Sequence, residues 1–86
     1  MQEFYFQLHN PVGMHVRPAG LLVKEALKYD CDVRICLEER SADAKHILSL
    51  LNLGAKAGDE IRVSTLGTDE AAAARDLHKF MSDHAF

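Results

Sequence analysis

Glu3-Phe4-Tyr5-Phe6-Gln7-Leu8-His9, Asn10-Pro11-Val12-Gly13-Met14-His15 and Val16-Arg17-Pro18-Ala19-Gly20-Leu21-Leu22-Val23-Lys24-Glu25-Ala26-Leu27-Lys28-Tyr29 follow one another without interruption. In the first segment Phe4, Phe6 and Leu8 alternate with Tyr5, Gln7 and His9, the period of a strand with one buried face. Asn10, Pro11 and Gly13 supply turn chemistry that ends it. From Arg17 to Tyr29 the period changes: Leu22, Val23, Ala26 and Tyr29 recur at helical spacing, with Lys24, Glu25 and Lys28 elsewhere on the wheel. Pro18 suits a first helical turn, where its missing donor costs nothing and its fixed φ is already helical. The spacing therefore predicts strand, loop and amphipathic helix, with His15 at the mouth of the helix.

Working outward, Cys31, Val33, Ile35 and Leu37 alternate with Asp32, Arg34, Cys36 and Glu38, a second strand. The polar run Glu38 to Ser41 predicts a turn into a short third strand. Lys45 to Leu53 reads as a second helix with too many apolar residues for one face. At about 100° per residue, Leu50 and Leu53 fall together while Ile47, Leu48 and Leu51 form a separate group. So small a domain has little material to cover a helix on all sides, so the second group is expected to be an exposed contact patch. Gly54 ends the helix, Gly58 and Asp59 turn, and Ile61, Val63 and Thr65 alternate with Arg62 and Ser64 in another strand closed by Gly67. Thr68 or Asp69 is placed to cap a last helix. Asp69 and Glu70 lie at its positive end, and Ala73, Ala74, Leu77, Phe80 and Met81 form its core stripe. The order strand, helix, strand, short strand, helix, strand, helix predicts an α+β fold, one sheet with the helices packed on a single face. Tyr5, Gln7, Asp32, Arg34, Arg62 and Ser64 suit the wet face.

Bulk properties narrow the function classes. The 86 residues leave room for one domain spanning 1–86 with one modest core. A hydrophobic fraction of 48% and a charged fraction of 27% match ordinary globular chains. The net charge is −3 and the ten basic residues are scattered, so no cationic stripe addresses nucleic acid. No apolar run reaches the length of a signal h-region or a membrane span, and a cytoplasmic address without membrane insertion is expected. Cys31 and Cys36 fall on opposite strand faces and do not bridge, leaving one small buried residue and one free thiol. No pair among His9, His15, His46, His78 and His84 has metal-ligand spacing with a third ligand in reach, so neither metal nor cofactor is expected. A nucleotide-cradling glycine loop is also missing, which argues against an autonomous enzyme.

The chemistry concentrates in Gly13-Met14-His15-Val16-Arg17-Pro18. A neutral imidazole is a nucleophile near pH 7, so His15 is able to attack a phosphoryl group without a strong external base. The unpaired amides at the helix start, those of Val16 and Arg17, are suited to an anion carried on the ring, with help from the helix dipole. Arg17 adds a permanent cation with several fixed donors. Gly13 lets the loop turn tightly and leaves the ring approachable by a bulky donor. Singly each residue has an ordinary explanation as loop, turn or surface; together they point to anion or phosphoryl chemistry.

With its following Ala19, this run resembles the active-site loop of the histidine-containing phosphocarrier (HPr) family of the bacterial sugar phosphotransferase system. Lys24-Glu25-Ala26 is similar to the family's first helix, Leu53-Gly54 to the end of its second, and Gly67-Thr68-Asp69-Glu70 to the start of its third, so the likeness spans essentially the whole chain. The resemblance implies an open-faced β-sandwich, a four-stranded antiparallel sheet covered by three helices. It implies phosphorylation of His15 on Nδ1 by phosphorylated enzyme I, itself charged from phosphoenolpyruvate, and delivery to IIA domains of sugar permeases. Arg17 becomes the phosphate-stabilising residue. Gly20, Lys24, Ile47, Leu48 and Leu51 become partner-docking positions on a protein expected to be monomeric.

Two departures stand out. Family members controlled by a serine kinase carry a serine where this chain has His46, so that regulatory branch is not expected here, although Ser41 and Ser49 lie nearby. His46 is also a poorer helix cap, at a cost of about 1 kcal/mol unless Asp43 or another group substitutes; it reads as an ordinary surface histidine rather than a second acceptor or pH sensor. Leu27 stands on the first helix where family members commonly carry a cation. The competing readings are a regulatory or nitrogen-linked carrier of the same chemistry, and a non-catalytic module that binds an enzyme or transcription factor through the same apolar face. Binding alone requires neither His15 nor Arg17.

Overall fold

A computed structural model describes residues Met1–Phe86. The elements run β1 (Gln2–Gln7), α1 (Val16–Ala26), β2 (Asp32–Leu37), β3 (Arg40–Asp43), α2 (Ile47–Leu53), β4 (Glu60–Leu66) and α3 (Glu70–Asp83). The four strands form one sheet in the order β1-β4-β2-β3, every neighbouring pair antiparallel. This is the open-faced α+β architecture expected from the sequence.

Register explains how strict alternation builds two unlike faces. Phe4 pairs with Val63, Val63 with Ile35 and Ile35 with Ala42, one apolar row crossing all four strands beneath the helices. The adjacent row, Tyr5, Arg62, Cys36 and Ser41, lies on the opposite face. A one-residue slip would exchange the rows, so burying one of them fixes the pairing. The core is continuous: Leu8, Leu22, Ile35, Leu50, Ile61, Leu77 and Met81 are all at or below 1% exposure. Each such side chain contributes about 1.5–3 kcal/mol relative to leaving it in water.

Four differences from the sequence expectation have physical causes. Helix α1 stops at Ala26, three residues before Tyr29, whose hydroxyl instead donates to Asp76 at 3.0 Å. Asp69 precedes α3 but does not cap it through its side chain. Its carboxylate accepts the amides of Asp30 and Cys31, both at 2.9 Å, and so ties the α1–β2 loop to the start of α3. These bonds, that of Asp30 first, hold the Asp69 carboxyl below the usual carboxylate range. Burial, helped by Asp69, pushes the Cys31 thiol up to about 11. At α2, Asp43 does not replace the missing serine cap. Its Oδ1 accepts the Lys45 amide at 2.9 Å, and α2 begins without a side-chain cap. The fourth difference is Phe86, which is buried although the α3 stripe ends at Met81. Ala85, at φ 56°, turns the chain back, and the Phe86 carbonyl accepts the amides of His9 and Asn10 at 2.9 and 3.0 Å.

Candidate functional site

The loop carrying His15 is held from three directions. At its base, Leu8 exchanges hydrogen bonds with the β4 approach: its amide donates to Asp59 and its carbonyl accepts from Gly58. The Asn10 side-chain oxygen accepts the Val12 amide at 3.0 Å, and the Asn10 carbonyl accepts the Gly13 amide at 2.9 Å, closing a compact turn. The Met14 amide then donates to Ala55 at 3.0 Å while its side chain enters the core. Gly13 makes this docking possible. Its φ of +76° is costly for any other residue, and a Cβ would lie 2.6 Å from the Ala55 carbonyl oxygen and 2.8 Å from Lys56 Cα.

His15 emerges from this clamp as the N-cap of α1, in extended conformation at φ −106° and ψ −172°. Its carbonyl accepts the first helical bond, from Ala19 at 2.9 Å, and its side chain makes no capping bond. The half-buried ring is thus free of the capping role taken by serine or aspartate at such positions. The amides of Val16 and Arg17 have no acceptor within the chain, and Pro18 has no amide hydrogen to offer. Two orphan donors and the positive end of the helix dipole therefore stand beside the imidazole. His15, Arg17, Pro18, Asn10, Leu21, His84 and Ala85 line one depression of about 300 Å³. A larger hollow of about 430 Å³ lies on the open face of the sheet, between arginines and carboxylates of both signs, and touches none of the His15 loop.

The second feature is the seam between α1 and α2. Gly20 leaves room for close approach, its missing Cβ falling 3.8 Å from Ile47 Cδ1. Leu50 and Leu53 are buried, whereas Ile47 is 38% and Leu48 70% exposed. The two-sided wheel of α2 is real, with one adjustment: Leu51 is only half-exposed and packs against the core, so Leu48 is the cleaner surface residue. Lys24 lies exposed in the last turn of α1, and Leu27 is 61% exposed just after it. His46 is exposed beside the patch, with Nε2 3.9 Å from Asp43 Oδ2. Ser49 Oγ is occupied by the Asp43 amide at 2.9 Å, and Ser41 Oγ accepts from Arg34 at 3.0 Å.

The sequence pattern marks Asn10 as a turn residue and gives His84 no role. Both line the His15 depression, and no local periodicity marks them, because the turn at Ala85 is what carries the end of α3 to the loop. No group of three or more His, Cys, Asp or Glu side chains is arranged to hold a metal ion.

Fold and site together define a small open-faced α+β protein presenting a histidine at the start of its first helix. Comparison with known proteins is specific. Residues 2–83 match the PTS-HPr family model, described as the PTS HPr component phosphorylation site. The phosphocarrier protein HPr of Buchnera aphidicola subsp. Baizongia pistaciae is 41% identical over 76 residues, covering 88% of this chain and 89% of that one. The phosphocarrier protein HPr of Mycoplasma capricolum is 32% identical over 85 residues, covering 99% and 96%. A solved histidine-containing phosphocarrier protein from Mycoplasma superposes with a TM-score of 0.94 at 31% identity, covering 98% of this chain and 96% of that one. The chain belongs to the HPr family of phosphocarriers of the phosphotransferase system.

Proposed function

We propose that this chain accepts a phosphoryl group on His15 from phosphorylated enzyme I and delivers it to IIA domains of sugar permeases. In the forward step a lone pair of the His15 imidazole, on Nδ1, forms the bond to phosphorus as the donor's bond to phosphorus breaks, the donor atom keeping the pair. Delivery reverses the roles. The phosphoryl oxygens are received by the Val16 and Arg17 amides and by the Arg17 guanidinium, fixed donors aimed where the charge resides. Gly20, Lys24, Ile47, Leu48 and Leu51 form the docking surface that brings either partner to the ring. The working unit is a monomer in the cytoplasm, acting without nucleic acid, cofactor or membrane insertion.

The observation that carries this reading is the N-cap position of His15 beside two unpartnered amides and Arg17 in one depression. A non-catalytic binding module has no use for that arrangement. The test is incubation with phosphoenolpyruvate and a catalytic amount of enzyme I, followed by intact-mass measurement. An acid-labile phosphoryl adduct on the wild type and none on His15→Ala supports the carrier; no adduct on the wild type overturns it.

A further inference from the structure

His84 faces the same depression as His15 and Arg17. It is the C-cap of α3, exposed, and its ring is held in place: Nδ1 lies 2.9 Å from the Phe80 carbonyl oxygen, and the ring stacks on Phe80 with centroids 4.1 Å apart at 27°. A carbonyl only accepts, so Nδ1 carries the hydrogen. Nε2, on the opposite edge, has no partner in the chain and bears the free lone pair.

The charges around this ring are arranged asymmetrically. On one side stand Arg17, His15 and the positive end of α1; on the other, Glu25, Tyr29, Asp76, Lys79 and Asp83 line a second shallow depression that His84 also borders. Lys79 is already paired with Asp83 at 2.7 Å. His84 thus stands between the carbonyl end of α3 and the depression that Arg17 and His15 line. A phosphoryl group on His15 adds two negative charges to the depression that His84 borders.

We infer that His84 is a second imidazole of the phosphoryl site, taking up a proton on Nε2 when His15 is phosphorylated and donating that hydrogen to a phosphoryl oxygen. This rests on the carrier reading of His15. The proton comes from solvent, occupies the Nε2 lone pair, and returns to solvent when the phosphoryl group leaves; no other bond is made or broken. An anion placed within reach of an imidazole raises its proton affinity by about tenfold or more. By reciprocity, protonated His84 raises the equilibrium charging of His15 by the same factor. Wild type and His84→Gln therefore diverge in charging as pH falls through the His84 midpoint.

The test is a histidine-resolved NMR titration of the full chain before and after charging with phosphoenolpyruvate and enzyme I, with His15→Ala and His84→Gln alongside. The expected result is an upward shift of the His84 midpoint by about one unit in the phosphorylated chain, with His9, His46 and His78 unmoved. The shift should be absent in His15→Ala, and the extra charging at low pH should be lost in His84→Gln. A chain carrying phosphoryl on His15 with His84 titrating as before overturns this inference alone, as does a His84 shift that persists in His15→Ala. Failure to charge the wild type overturns the carrier reading and the inference together.

Discussion

Replacing Gly13 by alanine should separate the two backbone segments on which the His15 loop depends. The native φ of +76° belongs to the left-handed region, where an L-residue with a Cβ costs about 1–2 kcal/mol. The added carbon would also meet the Ala55 carbonyl at 2.6 Å, Lys56 Cα at 2.8 Å and the Ala57 amide nitrogen at 3.2 Å. All three are backbone atoms, so no rotamer change relieves the overlap. Relief requires the loop to lift from residues 55–57, which breaks the Met14 to Ala55 hydrogen bond, at about 0.5–1.5 kcal/mol, and loosens Met14 in the core. The combined loss is about 1.5–3.5 kcal/mol, a fall in Tm of about 6–28 °C for a domain of this size. Gly58→Ala is the control: its φ is +88°, but nothing lies within 4 Å of the added carbon, so it pays the conformational strain alone. Thermal unfolding followed by circular dichroism compares the two, and the rate of charging from enzyme I reports whether the lifted loop still presents His15. A Gly13→Ala protein no less stable than Gly58→Ala would refute the steric argument.

Other expectations follow from the same geometry. Leu50→Ala should cost about 2–5 kcal/mol in chemical denaturation. Leu48→Asp should leave stability within about 0.5 kcal/mol yet weaken binding of enzyme I and IIA domains in calorimetry; a stability loss matching that of Leu50→Ala would place Leu48 in the core. Arg17→Ala should keep the native circular dichroism spectrum and slow charging of His15 by about 10²-fold, and an unchanged rate in a quenched-flow assay removes Arg17 from the mechanism. Asp69 has a depressed folded-state value, caused first by the Asp30 amide. Its contribution to stability is complete above the unfolded carboxylate value of about 3.9 and is lost as pH falls through the lower folded value. Asp69→Asn should flatten the fall in Tm below that point, and an unaltered acid profile counts against the bridge to Asp30 and Cys31.

Much of this fold is legible in the chain because its strands alternate strictly. Val33, Ile35 and Leu37, then Ile61, Val63 and Thr65, occupy buried positions wherever period two places them. The wheel of α2 separates Leu50 and Leu53 from Ile47 and Leu48 for the same reason: angular position on a regular element follows from spacing alone. Leu51 falls with Ile47 and Leu48 on the wheel, so its half-burial against the core comes from tertiary packing that spacing does not carry. What local patterns do not carry is the return of the chain at Ala85, which buries Phe86 and brings His84 to the His15 depression. A left-handed alanine has no sequence signature, and the hydrogen bonds that reward it, from His9 and Asn10, join residues far apart in the chain. Asp69 is similar. Its position suits a helix cap, but two loop amides nearly forty residues away compete for its carboxylate and win.

The most direct measurement is phosphorus and amide NMR on the chain charged by enzyme I. The account predicts a single phosphoramidate on the His15 ring, with the largest amide shifts at Val16 and Arg17, whose hydrogens turn from water to phosphoryl oxygens. Phosphorus located on any other residue, or a His15 adduct that leaves those two amides where they were, would contradict it.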